Sequence, residues 1–114
     1  MKVLIVDDDD DVRKVFKMSF SNPNRDLFLA SNGTEAIEII DRTPDLDWVI
    51  TDYNMPGCDG LEVVKHIKKH FPWIKVAVMS GEMSITREKM FLDAGANAVI
   101  QKPAFAEIEK LLSS

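Results

Sequence analysis

Cysteine is nearly absent from this chain: Cys58 stands alone, which excludes an intrachain disulfide and fits a reducing compartment. Long apolar runs are absent too. No stretch approaches the ~20 residues that cross a bilayer. The N-terminal run from Met1 to Val6 is too short for the core of a signal peptide, and five aspartates follow it at once. Positive charge is in deficit, with 14 Lys and Arg against 19 Asp and Glu and a formal net charge of −5. That argues against direct nucleic-acid binding, which needs a cationic face. Repeats, linkers and low-complexity tracts are missing as well. These absences describe a cytoplasmic protein with no membrane or nucleic-acid association. What is present is apolar material, 46% of 114 residues. A domain of this length buries roughly two thirds of its unfolded surface, so one core holds it without staples. Residues 1–114 read as a single domain.

Val3 to Val6 is a continuous apolar run, as a strand buried on both faces requires. A helix pattern starts within the aspartates Asp7 to Asp11, with Val12, Val15, Phe16 and Phe20 at helical spacing. Ser21-Asn22-Pro23-Asn24 breaks it. Leu27 to Ala30 is a second strand. Asn32-Gly33 reads as a turn, and Ala36, Ile37 and Ile40 as a second helix. Trp48 to Thr51 is a third strand. Leu61, Val64, Ile67 and Phe71 form the stripe of a third helix, ended by Pro72. Val76 to Met79 is a fourth strand. Ser84 caps a fourth helix, with Ile85 and Leu92 inward and Gly95 as its stop. Ala98 to Ile100 is a fifth strand, and Phe105, Ile108, Leu111 and Leu112 give a short last helix. Strands alternating with helices imply a parallel α/β sheet covered on both faces, with right-handed crossovers.

The residues with chemistry fall at strand ends, where open α/β sheets place their ligands. Asp7 and Asp8 follow the first strand, Asp52 ends the third, Ser80 ends the fourth and Lys102 follows the fifth. If the first and third strands are neighbours, Asp7, Asp8 and Asp52 meet. Two unit charges 4 Å apart repel by about 4 kcal/mol at an effective dielectric near 20. A proton or a cation must relieve them. Hard oxygen ligands with room for water suit Mg²⁺. The remaining aspartates, Asp9, Asp10 and Asp11, read as a solvated helix start. Lys102, opposite the acids, is a candidate partner for phosphate or carboxylate.

Val-Asp-Asp at 6–8, Asp52 with Met55-Pro56 and Asp59-Gly60, Ser80-Gly81, Ala94-Gly95-Ala96 and Lys102-Pro103 together resemble a response-regulator receiver domain of two-component signalling. The likeness runs from about Val3 to Pro103. It implies a flavodoxin-like, doubly wound five-stranded parallel sheet of order 2-1-3-4-5. It implies that Asp52 is the nucleophile, taking a phosphoryl group from a sensor histidine kinase or a histidine phosphotransfer protein. Asp8 would bind Mg²⁺ directly, Asp7 mainly through water, and Asn54 through its backbone carbonyl. Ser80 and Lys102 would each hold a phosphoryl oxygen. The Lys102-Pro103 peptide is often cis in this family, which would aim the lysine inward. The downstream partner is a protein these residues do not name. Pairing with a second copy through helices four and five is compatible with the family and not specified here. Asn54 and Glu82 occupy positions that tune access of water to the acyl phosphate, and they resemble regulators that lose phosphate quickly. With no output domain after Ser114, the chain reads as a stand-alone receiver or an excised one. It is expected to be a switch, not a turnover enzyme.

One departure is Val99, where many receivers carry a Tyr or Phe in the fifth strand that swings inward on activation. A valine has no ring to swing and a stiff χ1. Three other functions fit less well. An aspartyl-phosphate phosphohydrolase wants Asp two residues past its nucleophile, where Asn54 stands. A flavin module needs a phosphate-cradling loop after the first strand, and Asp7 to Asp11 would repel it. A degenerate scaffold would not need the full set of Asp7, Asp8, Asp52, Ser80 and Lys102. Outside this set, His66 and His70 read as solvated rather than as a zinc site, and Cys58 as a plain thiol. Trp48 and Trp73 read as packing or rim residues, and Tyr53 as bordering the site. Met83, Met90 and Phe91 are either a partner surface or filling between helices four and five.

Overall fold

The computed structural model describes residues 1–102 and 105–113; Pro103, Ala104 and Ser114 fall outside, and with Pro103 the geometry of the Lys102-Pro103 peptide. Five strands alternate with five helices, in the order β1 (Lys2–Val6), α1 (Asp10–Phe20), β2 (Asp26–Ala30), α2 (Gly33–Arg42), β3 (Trp48–Asp52), α3 (Gly60–His70), β4 (Lys75–Ser80), α4 (Ile85–Asp93), β5 (Ala98–Gln101) and α5 (Phe105–Ser113). Every strand pair is parallel, and the spatial order is β2-β1-β3-β4-β5, as the resemblance implied.

The alternation of side chains along each strand builds two cores. Val3 and Ile5 of β1 join Ile50, Ala77 and Met79 under Phe16, Phe20, Ile108 and Leu112 of α1 and α5. Leu4 and Val6 point the other way, with Val49, Val76 and Val78, toward α2, α3 and α4. Strands covered on both faces leave no polar alternation, which is why they appear in the sequence as unbroken apolar runs. Fully burying each such Val, Leu or Ile is worth roughly 1.5–3 kcal/mol.

Helix starts follow their caps. Asp9 is the N-cap of α1, its carboxylate accepting the N–H groups of Asp11 (2.9 Å) and Val12 (3.3 Å). Asn32-Gly33 is not a free turn but the start of α2: Asn32 accepts the N–H of Glu35 at 2.8 Å. Asparagine is among the strongest N-caps, so a local break and a helix start coincide here. Ser84 caps α4, and Gly95, at φ 109°, stops it as expected.

Two helical stripes differ from expectation. In α1, Val15 is exposed beside the buried Phe16. In α4 the phase is wrong: Ile85 and Leu92 point outward, 89% and 45% exposed, and Phe91 is the fully buried residue. At 3.6 residues per turn, Ile85 lies about 120° and Leu92 about 100° around the helix from Phe91. A nine-residue helix offers its neighbours a narrow face, and the ring with the larger apolar area takes it. Met83 and Met90 are half-buried against the core on the α2–α3–α4 side of the sheet, to which the fully buried Phe91 belongs.

Candidate functional site

Three ladders run to the same edge of the sheet. The N–H of Asp7 donates to Ala30 O at 3.1 Å, so Asp7 stays in the sheet beyond β1 and is fully buried. Asp8, one residue on, is exposed. Asp52 ends β3, the neighbour of β1, and is 6% exposed. Lys102 continues the β4–β5 ladder, its N–H donating to Ser80 O at 2.9 Å. This register delivers Lys102 to the acids: its Nζ is 2.7 Å from Asp7 Oδ2 and 3.1 Å from Asp52 Oδ2. The other oxygen of Asp7 accepts the N–H of Asp9 at 3.0 Å.

Gly60, the first residue of α3, lies so close to Asp52 that a Cβ there would fall 2.4 Å from the Asp52 carbonyl oxygen. Only glycine lets the helix start against the end of β3. The loop between them carries Asn54, which is exposed, and Cys58, which is half-buried. Burial, with Glu62 and Asp59 adding to it, pushes the Cys58 thiol up to about 11, so it is an unreactive thiol at neutral pH.

One oxygen from each of Asp7, Asp8 and Asp52 lies within 4.8 Å of the others. Among the described residues, Lys102 pairs with two of these three carboxylates, Asp7 and Asp52. Burial pushes the Asp52 carboxyl above its ordinary value; Lys102 opposes that shift, and Asp7 and Asp8 add to it. Burial alone would lower the Lys102 ammonium, but its bond to Asp7 and the charges of Asp52 and Asp7 hold it above its ordinary value. An added divalent cation would relieve the acids. Mg²⁺ holds oxygens at about 2.0–2.1 Å in an octahedron, so adjacent ligand oxygens lie about 2.9 Å apart and opposite ones about 4.1 Å. The three carboxylates, within 4.8 Å of one another, would draw together around such an ion, and a donor set of hard oxygens suits Mg²⁺ over softer metals.

Ser80 is fully buried, and its hydroxyl donates to Glu82 O at 2.9 Å. Glu82 is exposed at the rim. Tyr53 borders the site, half-buried, with its ring edge-on to Phe91 at 5.0 Å. Sequence reasoning missed two arginines. Arg13 Nη1 donates to Asp7 O at 2.6 Å. Arg87 Nη1 donates to Glu82 O at 2.9 Å, and its guanidinium carbon lies 5.3 Å from the Tyr53 ring centroid. A signal existed for Arg87: a cation in the first turn of a helix opposes the macrodipole, so it needs another reason to be there.

The two histidines lie apart from this edge. His70 is exposed, but His66 is half-buried and pairs with Asp41 across the α2–α3 contact at 2.7 Å, where solvation of both was expected. Trp48 is buried in the core, and Trp73 is a rim residue whose indole N–H donates to Pro44 O at 2.8 Å. No helix among the described residues is long and apolar enough to cross a membrane.

The family model of the response regulator receiver domain matches residues 3–113. The chain belongs to that family. This receiver domain is 34% identical over 116 residues to chemotaxis protein CheY1 of Helicobacter pylori, covering 96% of this chain and 91% of that protein. It is 35% identical over 113 residues to response regulator MprA of Mycobacterium leprae, covering 99% of this chain and 48% of that longer protein. Among solved structures, chemotaxis protein CheY4 of Vibrio cholerae superposes with a TM-score of 0.89 at 25% identity, over 98% of this chain and 95% of that one. The CheY of Borrelia burgdorferi, solved as a CheX-CheY-BeF3-Mg complex, superposes with a TM-score of 0.90 at 27% identity, over 98% of this chain and 86% of that one.

Proposed function

We propose that this receiver domain is a phospho-accepting switch in which Asp52 takes a phosphoryl group from a phosphohistidine on a sensor kinase or phosphotransfer protein. The observation that carries this reading is the junction of Asp52 with Asp7, Asp8 and Lys102 at one sheet edge. An Asp52 carboxylate oxygen attacks phosphorus, the P–N bond breaks, and the imidazole leaves with a proton. Asp8 and Asp52 would hold Mg²⁺ through their side chains, Asp7 largely through water, and Asn54 through its backbone carbonyl. When bound, Mg²⁺ neutralises charge that builds on the transferring oxygens. Lys102 turns from Asp7 and Asp52 toward a phosphoryl oxygen, and the Ser80 hydroxyl donates to another. Catalysis is then positioning and electrostatics, with no protein acid or base required. The chain acts as a single switch domain on its own phosphoryl group and turns over no other substrate. It works in the cytoplasm, and a protein partner reads its changed surface.

The BeF3 and Mg named with the Borrelia burgdorferi relative support the same ligand chemistry for this chain. Asn54 and Glu82 leave the rim open to water, which supports a short-lived phosphoryl state. Intact mass over time, with Mg²⁺ and a small-molecule phosphodonor, tests the proposal. One phosphoryl gain that needs Mg²⁺ and is absent in Asp52→Ala is the expected result. An equal gain in Asp52→Ala would mean another nucleophile.

A further inference from the structure

Arg87 has no part in the phosphoryl chemistry above, yet it ties together the two sides of the pocket mouth. We propose that Arg87 is a positioning residue that couples the loop after β4 to Tyr53, and so links the state of Asp52 to the outer face of α4. The inference rests on Asp52 as acceptor and on Ser80 as a donor to its phosphoryl group. It goes further in assigning the route by which that event reaches α4.

The shared element is the carbonyl oxygen of Glu82. It accepts from the Ser80 hydroxyl at 2.9 Å and from Arg87 Nη1 at 2.9 Å. The Glu82 N–H returns to Ser80 Oγ at 3.3 Å. On its other side the Arg87 guanidinium covers the Tyr53 ring, 5.3 Å from its centroid. Tyr53 directly follows Asp52, is pinned by its N–H to Met79 O at 2.9 Å, and meets Phe91 edge-on at 5.0 Å. Phe91 is the residue whose burial sets the rotation of α4.

A serine hydroxyl has one proton to give. When it donates to a phosphoryl oxygen on Asp52, it no longer donates to Glu82 O, and that carbonyl is left with Arg87. The loop has open space beside it. A Cβ added at Gly81 would meet nothing within 4 Å, and Gly81, Glu82, Met83, Ser84, Arg87 and Gln101 line an open pocket beside it. Glu82 therefore shifts with Ser80, and the guanidinium follows its acceptor off the Tyr53 face. The uncovered ring repacks against Phe91, and α4, with Ile85 and Leu92 exposed on it, turns or tilts. A guanidinium on α4 thus does the work that a swinging ring in β5 cannot do here, because Val99 has none.

Tyr53 is the chain's one tyrosine, so 3-fluorotyrosine labelling gives a single ¹⁹F resonance. That resonance and the backbone amide shifts are followed in wild type, Arg87→Ala and Arg87→Lys, with Mg²⁺ and beryllofluoride as the probe. In wild type the probe moves the Tyr53 resonance and the amides of Asp52, Ser80 and α4. In Arg87→Ala the Tyr53 resonance is displaced before the probe is added. The Asp52 and Ser80 amides still respond, and the α4 response falls below half of the wild-type shift. Arg87→Lys, which keeps a donor for Glu82 O and loses the planar stack, falls between. An α4 response in Arg87→Ala equal to wild type overturns the coupling role and leaves the phosphoacceptor reading intact. Silent Asp52 and Ser80 amides in wild type overturn that underlying reading, and the inference with it.

Discussion

At the scale of single residues, Asp52 is held where an ionised carboxyl is least comfortable. Burial raises its proton affinity, and the acids beside it outweigh part of what Lys102 restores. The folded state therefore keeps its proton to a higher pH than the unfolded state does. Without Mg²⁺, the contribution of Asp52 to stability falls as pH rises from the ordinary carboxylate value of 3.8 through its raised folded value, then levels off. Asp52→Asn removes the charge and keeps the shape. Urea unfolding of both proteins in chelator-treated buffer, from pH 4 to pH 8, is expected to show the mutant gaining over wild type as pH rises. Mg²⁺ is expected to narrow the gap. A gap that shrinks with rising pH in chelator would contradict the assigned electrostatics. The position of these acids was legible in the sequence because a carboxylate after an unbroken apolar run has one place to go. The contact of Lys102 with Asp7 as well as Asp52 was not, because it depends on how far the β4–β5 ladder runs.

At the scale of elements, α4 separates pattern from packing. Its apolar residues Ile85, Met90, Phe91 and Leu92 do not form one stripe, so several phases are equally permitted by spacing. The neighbours decide: Phe91 enters the core beside Tyr53, and Ile85 and Leu92 are left outside. Removing the Phe91 ring should cost about 3–5 kcal/mol, the range for an aromatic truncated in a core. Ile85→Ala, at 89% exposure, should stay within about 0.5 kcal/mol of wild type. Chemical denaturation of the two variants measures both, and comparable losses would place Ile85 inward after all. The strands show the opposite case. Val3–Val6 and Trp48–Ile50 are apolar throughout and buried on both faces, so no phase had to be chosen. Asn32 shows a third case, since the same residue favours a turn and a helix cap, and only the following turn of α2 tells them apart.

At the scale of the whole molecule, the parallel sheet brings residues about 95 positions apart into contact, as Asp7 and Lys102 are. Strand order was legible by resemblance, and the meeting of Asp7, Asp8 and Asp52 follows from it. The coupling through Arg87 was not legible. It needs the loop after β4, the first turn of α4 and the residue after Asp52 in one place, and no local spacing encodes that. The arrangement concentrates acids at one edge of a chain already at −5. On the proposed function, a divalent ion and a phosphoryl group would balance one another in charge at this edge. Borohydride reduction after phosphorylation tests whether the phosphoryl group sits on Asp52. Hydride converts an aspartyl phosphate to homoserine, which peptide mass mapping locates. Homoserine is expected at Asp52 alone, and only when Mg²⁺ was present during phosphorylation. Homoserine at Asp7 or Asp8, or a phosphate that survives reduction on Ser80, would contradict it.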